Sequence, residues 1–294
     1  MKKYIFALLV LASSTAGYAQ WALPHISVAP MRTEPRHGAE MSTQALMGTP
    51  LHVDSVVNGW AAVTMPDGYK GYINSNSLTM LDDCRFDSWR DSERGVIVSP
   101  HEIKAYADSI SYNPVSDLVA GDIVVLDSDT GLLRSRITLP DGRKAWVFNS
   151  DIKPLSELHD NGVGPILEMA RLQMGTPYLW GGLSTKGMDC SGLTKLAFFS
   201  AGYILPRDAS QQALAGIEVD KDSLQPGDLV FYGNPDNGRI NHVAIYEGDG
   251  FVIEAAGRVR RTPVDDAGHV IVCRRLNIPA TPTVATHPWY TLIK

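Results

Sequence analysis

Two ten-residue stretches of this chain are variants of one another. Thr64-Met65-Pro66-Asp67-Gly68-Tyr69-Lys70-Gly71-Tyr72-Ile73 and Thr138-Leu139-Pro140-Asp141-Gly142-Arg143-Lys144-Ala145-Trp146-Val147 share Thr, Pro, Asp, Gly and Lys, with apolar or aromatic residues at matching places. In each, a β-prone run enters a Pro-Asp-Gly turn and a second run leaves it with an aromatic at alternate spacing, which is what a tight hairpin needs. The match continues past the turn into an apolar strand, so duplication explains it better than chance agreement of two turns. The N-terminal half of the chain is therefore expected to hold two small β domains.

With Gly59-Trp60 shortly before the first turn and Leu78 after it, this pattern resembles bacterial SH3-like modules, small barrels found in tandem in cell-wall enzymes. The resemblance covers residues 20 to 155, and the second copy lacks an obvious counterpart of Trp60. The polar stretch from Asp82 through Gly95 reads as a linker or inter-barrel loop. After Pro154 the pattern changes. Val163, Ile166, Leu167, Ala170 and Leu172 are spaced for an amphipathic helix over Gly162 to Met174, with Pro165 tolerated in its first turn and an end near Gly175. Short runs follow at Asp228 to Tyr232, His242 to Tyr246, Gly250 to Ala255 and His269 to Arg274, rich in Val, Ile and aromatics and suited to antiparallel strands. Helices first and strands afterwards make an α+β domain. The expected layout is a signal peptide over 1–19, SH3-like β domains over 20–85 and 86–156, and a catalytic domain over 157–294.

A net charge of -6 and a pI near 5.7 give no broad basic surface for a phosphate backbone, which sets nucleic acid aside as a partner. Two lysines, an apolar run from Tyr4 to Ala12 and the small residues up to Ala19 form an export signal, with cleavage expected after Ala19. The run is too short to cross a bilayer and no cysteine lies near the cleavage point, so neither a membrane anchor nor a lipid anchor is expected. The mature protein is expected in the periplasm or the medium. Export makes the odd number of cysteines informative, because Cys84, Cys190 and Cys273 cannot all pair. Cys84 and Cys273 fit a bridge or, preferably, two buried small residues.

The strongest local signal is Gly187-Met188-Asp189-Cys190-Ser191-Gly192, which runs directly into the apolar stretch Leu193 to Phe199. A thiol in the first turn of a helix faces unpaired backbone N–H groups and the positive end of the helix dipole, and both favour the thiolate. Cysteine catalysis also needs a base beside the sulfur. His25, His37, His52 and His101 fall in the β region, His159 in a linker and His287 in a Pro-containing tail, which leaves His242 and His269. His242 opens the run Asn241 to Tyr246 and can stand at a strand end facing the helix start.

Five blocks in order, Tyr178-Leu179-Trp180-Gly181-Gly182, Asp189-Cys190-Ser191-Gly192, Pro206-Arg207-Asp208, Gln225-Pro226-Gly227-Asp228-Leu229 and His242-Val243-Ala244-Ile245-Tyr246, resemble the motifs of the NlpC/p60 peptidases over residues 160 to 276. The resemblance implies a papain-like catalytic domain with Cys190 as nucleophile and His242 as base. It puts the polar group that orients the histidine at Glu254, where the family often has histidine; a carboxylate can hold an imidazolium as other triads do. Tyr178, with the Cys190 backbone N–H, is implied to stabilise the oxyanion. Trp180, Asp189, Ser191 and Asp208 are implied to line the substrate cleft, with Asp189 expected to bind a substrate amine and Asp208 alternatively capping the next helix. An aromatic of the first SH3-like module is implied to close the amine end, and Tyr69 is the candidate, since the repeat has Arg143 there.

With tandem SH3-like modules, the chain most resembles the subgroup that hydrolyses free peptidoglycan-derived peptides between γ-D-glutamate and a diamino acid, through a thioester and without metal or organic cofactor. The implied partner is L-Ala-γ-D-Glu-diamino acid, and a monomer is expected. Two other readings fit part of the pattern: a wall-binding protein with a decayed peptidase domain, opposed by the intact Cys190 and His242, and a papain-like acyltransferase or amidase, disfavoured for lipid by Asp189 and Asp208. No His, Cys and Asp cluster has the spacing of zinc ligands.

Overall fold

The computed structural model describes residues 20–158, 162–276 and 281–291, so the export signal read over 1–19 and the linker residue His159 lie outside the described residues. Seven strands between Trp21 and Leu81 form the first SH3-like barrel, and seven between Arg94 and Pro154 form the second. Both repeat copies are hairpins. Strands Trp60–Thr64 and Lys70–Asn74 flank the first turn, and Arg134–Thr138 and Lys144–Phe148 flank the second. Gly68 and Gly142 take φ of 81° and 88° and donate their N–H groups to Met65 and Leu139 O, a left-handed conformation that glycine adopts without strain.

The counterpart of Trp60 in the second barrel turns out to be Arg134, four residues before the matching threonine. Trp60 is 7% exposed and Arg134 3%. The guanidinium lies 4.4, 4.8 and 4.5 Å from the rings of Tyr106, Tyr112 and Phe148, so cation–π stacking and hydrogen bonds to Asp108 O and Ser111 O replace indole packing.

The stretch expected as a loop after Asp82 contains a helix, α1 (Asp83–Asp91), capped by the Asp82 carboxylate, which accepts the Arg85 N–H at 2.8 Å. Its apolar content is only Phe86 and Trp89, too little for a periodic signal. Phe86 stacks on Trp21 at 3.9 Å, so tertiary packing supplies what local pattern lacks. Cys84 is exposed on this helix while Cys273 is buried, and both are free thiols: there is no bridge, and the expectation of two buried cysteines holds for Cys273 alone.

The third unit is α+β and papain-like, as the sequence implied. Helices α2 (Val163–Leu172), α3 (Cys190–Ser200) and α4 (Ala209–Gln212) precede most of a six-stranded antiparallel sheet. Its order is Ile217–Val219, Val270–Arg275, Leu229–Gly233, Ile240–Gly248, Phe251–Ala256 and Arg258–Pro263. The outermost two strands were not foreseen, because Arg258–Pro263 buries only Val259 and Thr262 and so carries no alternation. Leu193, Leu196 and Ala197 of α3 pack with Ile166 and Ala170 of α2 over Phe231, Val243 and Ile253 of the sheet.

The barrels are fastened to this unit and to each other by polar contacts. Asp122, fully buried and with its carboxyl pushed well up by desolvation, accepts the N–H groups of Met47 at 2.9 Å and Val119 at 2.8 Å, joining the two barrels. Gln44 Oε1 accepts the Leu183 N–H at 2.8 Å, and the Lys195 ammonium of α3 meets Asp67 of the first repeat turn at 2.7 Å. The C-terminal segment returns to the first barrel, where His287 Nε2 bonds Pro66 O at 3.0 Å and Trp289 packs edge-on to Trp21. Among the described residues no helix is long and apolar enough to cross a membrane.

The Lys195–Asp67 pair is nearly desolvated, at 12% and 2% side-chain exposure. Removing one partner strands the other, so Asp67→Ala should lower stability by about 3–5 kcal/mol in urea denaturation. A loss below about 1 kcal/mol, the range of exposed pairs, would show that this contact does not fasten the barrel.

Candidate active site

Asp189 is the N-cap of α3, and its Oδ1 accepts the Gly192 N–H at 2.7 Å. This puts Cys190 in the first turn, where backbone N–H groups have no helical partner. Its other oxygen takes the Gly181 N–H at 2.9 Å, drawing the Tyr178-to-Gly182 loop onto the helix start. The approach is close enough that a Cβ at Gly192 would run into the carbonyl oxygen of Gly182. Arg207, 2% exposed, closes the arrangement: it donates to both oxygens of Asp189 at 3.1 and 2.6 Å, to Ser191 Oγ at 2.8 Å and to Thr43 Oγ1 of the first barrel at 2.6 Å.

His242 lies in the central strand Ile240–Gly248, and Glu254 in its neighbour Phe251–Ala256. The His242 Nε2–H donates to Glu254 Oε2 at 2.7 Å, and the Cys190 thiol lies near enough to the imidazole to favour its charged form. Glu254 is 1% exposed and further receives Thr262 Oγ1–H at 2.7 Å and Arg260 Nε–H at 2.9 Å. Burial works against both charges and is overcome by these bonds. His242 is raised from 6.5 to about 9, mainly by its hydrogen bonds to Cys190 and Glu254. Glu254 is lowered from 4.5 to about 2, with the His242 bond the strongest opponent of desolvation.

Cys190 opens on a cleft of about 720 Å3 that Tyr178, Trp180, Asp189, Ser191 and Asp208 also line. Tyr178 is pushed up to about 12, by burial first and then by the charges of Cys190 and Asp189, so its phenol stays protonated. One end of the cleft is walled by Thr33, Glu40, Ser42 and Tyr69 of the first barrel. There Glu40 Oε1 accepts the Trp180 indole N–H at 2.7 Å, and the Asp208 carboxyl, raised mainly by burial, hydrogen-bonds the Tyr69 hydroxyl. Asp208 is also the N-cap residue of α4, with its backbone N–H donated to Gln211 Oε1 at 3.1 Å, so cleft lining and capping are not alternatives.

All nine residues singled out in the sequence thus converge, Glu254 and His242 behind the cysteine and the others on the cleft wall. Asp189, expected to bind a substrate amine, has its oxygens engaged by Arg207, Gly181 and Gly192 and holds the helix start in place. Two residues were missed. Arg207 stood in a quoted motif, where a cation beside an acid was a usable signal; Glu40 had none, lying 140 residues from the tryptophan it contacts.

A free thiol at a helix start, an imidazole on a facing antiparallel sheet and a buried carboxylate behind it can pass a proton between sulfur and nitrogen, and this order on this fold defines a papain-like cysteine peptidase. Family comparison agrees. Residues 175–272 match the NlpC/P60 family and residues 31–78 the bacterial dipeptidyl-peptidase SH3 domain. The catalytic unit thus carries an NlpC/P60 peptidase domain, with an SH3 domain of the bacterial dipeptidyl-peptidase kind ahead of it. It is 28% identical over 246 residues to a gamma-D-glutamyl-L-lysine dipeptidyl-peptidase of Bacillus cereus, spanning 79% of this chain and 73% of the relative. It is 29% identical to the dipeptidyl-peptidase 6 of Lysinibacillus sphaericus over 78% and 85% of the two chains. The crystal structure of an NlpC/P60 family protein from Bacillus cereus shares the fold with a TM-score of 0.77 at 23% identity, over 87% of this chain and 99% of that one.

Because His242 is raised on folding, its contribution to stability is complete below about pH 6.5 and lost as pH rises through about 9. Glu254, which is lowered, contributes above about pH 4.5 and loses this as pH falls through about 2. An NMR titration of the His242 ring should find a midpoint near 9, falling by about a unit or more in Glu254→Gln. An unshifted midpoint in the variant would show that the carboxylate does not hold the imidazolium.

Proposed function

We propose that this protein hydrolyses peptidoglycan-derived peptides between γ-D-glutamate and a diamino acid, requires a free N-terminal amine, and works outside the cytoplasm. The observation that carries the reading is His242, set between the Cys190 thiol that favours its charge and buried Glu254, which accepts its Nε2–H. Cys190 transfers its proton to His242 and the sulfur attacks the carbonyl carbon. The Tyr178 hydroxyl and the Cys190 backbone N–H stabilise the negative oxygen. The C–N bond breaks as His242 returns the proton to the leaving amine, leaving a thioester on Cys190. Water then attacks that thioester, with His242 as base. No metal or organic cofactor enters these steps.

The substrate end follows from the barrel wall. A peptide extending from Cys190 towards Tyr69 meets the first barrel, which favours short peptides over long strands. Asp208, with Glu40 and the Tyr69 hydroxyl beside it, offers acceptors to an ammonium group there, a role that Asp189 is too fully engaged to take. The names of the two relatives, a γ-D-glutamyl-L-lysine dipeptidyl-peptidase and a dipeptidyl-peptidase, agree with removal of an N-terminal dipeptide. The export reading rests on the sequence of residues 1–19 and on the expected location of the substrate.

Digestion of L-Ala-γ-D-Glu-diaminopimelate and of its N-acetylated form is the test. Release of L-Ala-γ-D-Glu from the free peptide is expected, with none by Cys190→Ala. Acetylation should cost about 100-fold or more in kcat/KM, because it removes the charge that faces Asp208 and Glu40. Equal cleavage of both peptides would overturn the free-amine requirement, and cleavage by Cys190→Ala would overturn the assigned nucleophile.

A further inference from the structure

The cleft has an acidic end, and it also has a single cation free of a carboxylate partner. Its lining includes two arginines, Arg207 and Arg239. Arg207 is committed to Asp189, Ser191 and Thr43. Arg239, exposed, has no carboxylate partner among the described residues; Asp236, on the same turn, does not line the cleft.

The backbone that carries Arg239 is also held in place. This residue ends the turn between Leu229–Gly233 and the strand that carries His242 three residues later. Its carbonyl accepts the Asn234 N–H at 3.0 Å and its N–H donates to Asn237 Oδ1 at 3.0 Å. Asn234 Oδ1 takes the Asp236 N–H at 2.7 Å, and Gly238 at φ 67° completes the reversal. A Cβ at Gly233 would collide with the Arg239 carbonyl, so the backbone at this point has one register. The strand that Ile240 opens packs on α4, and Arg239, Ile240, Asp208 and Ala209 line the same cleft. The cation thus borders the same cleft as Asp208, where the amine of the acyl half is proposed to bind.

A γ-linked glutamyl residue differs from an α-linked one by a free carboxylate on its α-carbon, on the same half of the substrate as the N-terminal amine. We propose that Arg239 recognises this α-carboxylate and so makes the enzyme selective for γ-glutamyl bonds, with the amine at Asp208 and the carboxylate at Arg239 fixing the dipeptide from opposite charges. Guanidinium matches carboxylate in planar, two-pronged hydrogen bonding. The inference rests on the proposed peptidase reading and deepens it. Arg239 binds substrate and takes no part in proton transfer.

The test is a two-by-two comparison of kcat/KM, with native protein and Arg239→Gln acting on L-Ala-γ-D-Glu-diaminopimelate and on the peptide whose glutamyl α-carboxylate is amidated. Native protein should lose about 10- to 100-fold on amidation, the size of a charged hydrogen bond. Arg239→Gln should lose as much on the free carboxylate, little further on the amide, and Arg239→Lys should recover part of the loss. An unchanged melting temperature guards against a folding defect at this exposed position. Equal losses by Arg239→Gln on both peptides, or none, would overturn the inference while leaving the peptidase reading intact. Replacement of diaminopimelate by lysine separates a second source of carboxylate: if the loss in Arg239→Gln vanishes with the lysine peptide, the arginine reads the leaving group and the proposal fails. Failure of native protein to cut any of these peptides would remove the peptidase reading and this inference with it.

Discussion

The buried pair of Arg207 and Asp189 is the contact on which the site is built. The two side chains are only 2% and 8% exposed, and a desolvated ion pair persists only when its remaining donors and acceptors are satisfied. Here they are. Asp189 caps α3 and draws in the Gly181 loop, while Arg207 reaches Ser191 and Thr43 of the first barrel. One ion pair thereby fixes the helix turn that presents Cys190, the loop that presents Tyr178 and Trp180, and the seating of the barrel that closes the cleft. The barrel is part of the cleft wall, since Glu40 and Tyr69 come from it.

Behind the cysteine, the balance of forces is of another kind. Desolvation is the largest single influence on both His242 and Glu254, and it disfavours the charge of each. Mutual hydrogen bonding reverses it for both. The same burial without such partners goes the other way at Cys273, whose thiol is pushed up to about 11. Three thiols in one chain therefore sit in three settings: Cys84 exposed on α1, Cys273 buried in the sheet, and Cys190 against an imidazole at a helix start.

Local signals made much of this legible in the sequence. The duplicated Pro-Asp-Gly hairpins, the amphipathic spacing of α2 and the apolar runs of the central sheet all depend on neighbours within a few residues, where periodicity is a direct record of burial. Cys190, His242 and Glu254 could be named because helix start, strand end and motif order point to them. What stayed hidden depends on distance along the chain. Helix α1 has too few apolar residues to announce itself until Trp21 stacks on Phe86. Arg134 could replace Trp60 only once Tyr106 and Phe148 of other strands and Tyr112 of a loop surrounded it. Glu40 becomes a cleft residue only because the barrel packs against the catalytic unit, and the engagement of Asp189 by Arg207 shows only when residues 18 positions apart are brought together.

The central claim is that pairing with His242 makes Cys190 the reactive thiol of this chain. Alkylation by iodoacetamide at about pH 6, followed residue by residue by mass spectrometry in native protein and in His242→Ala, tests it most directly. Cys190 should react well ahead of the more accessible Cys84 in native protein and lose that lead in the variant. Preferential modification of Cys84 in both proteins would contradict the claim.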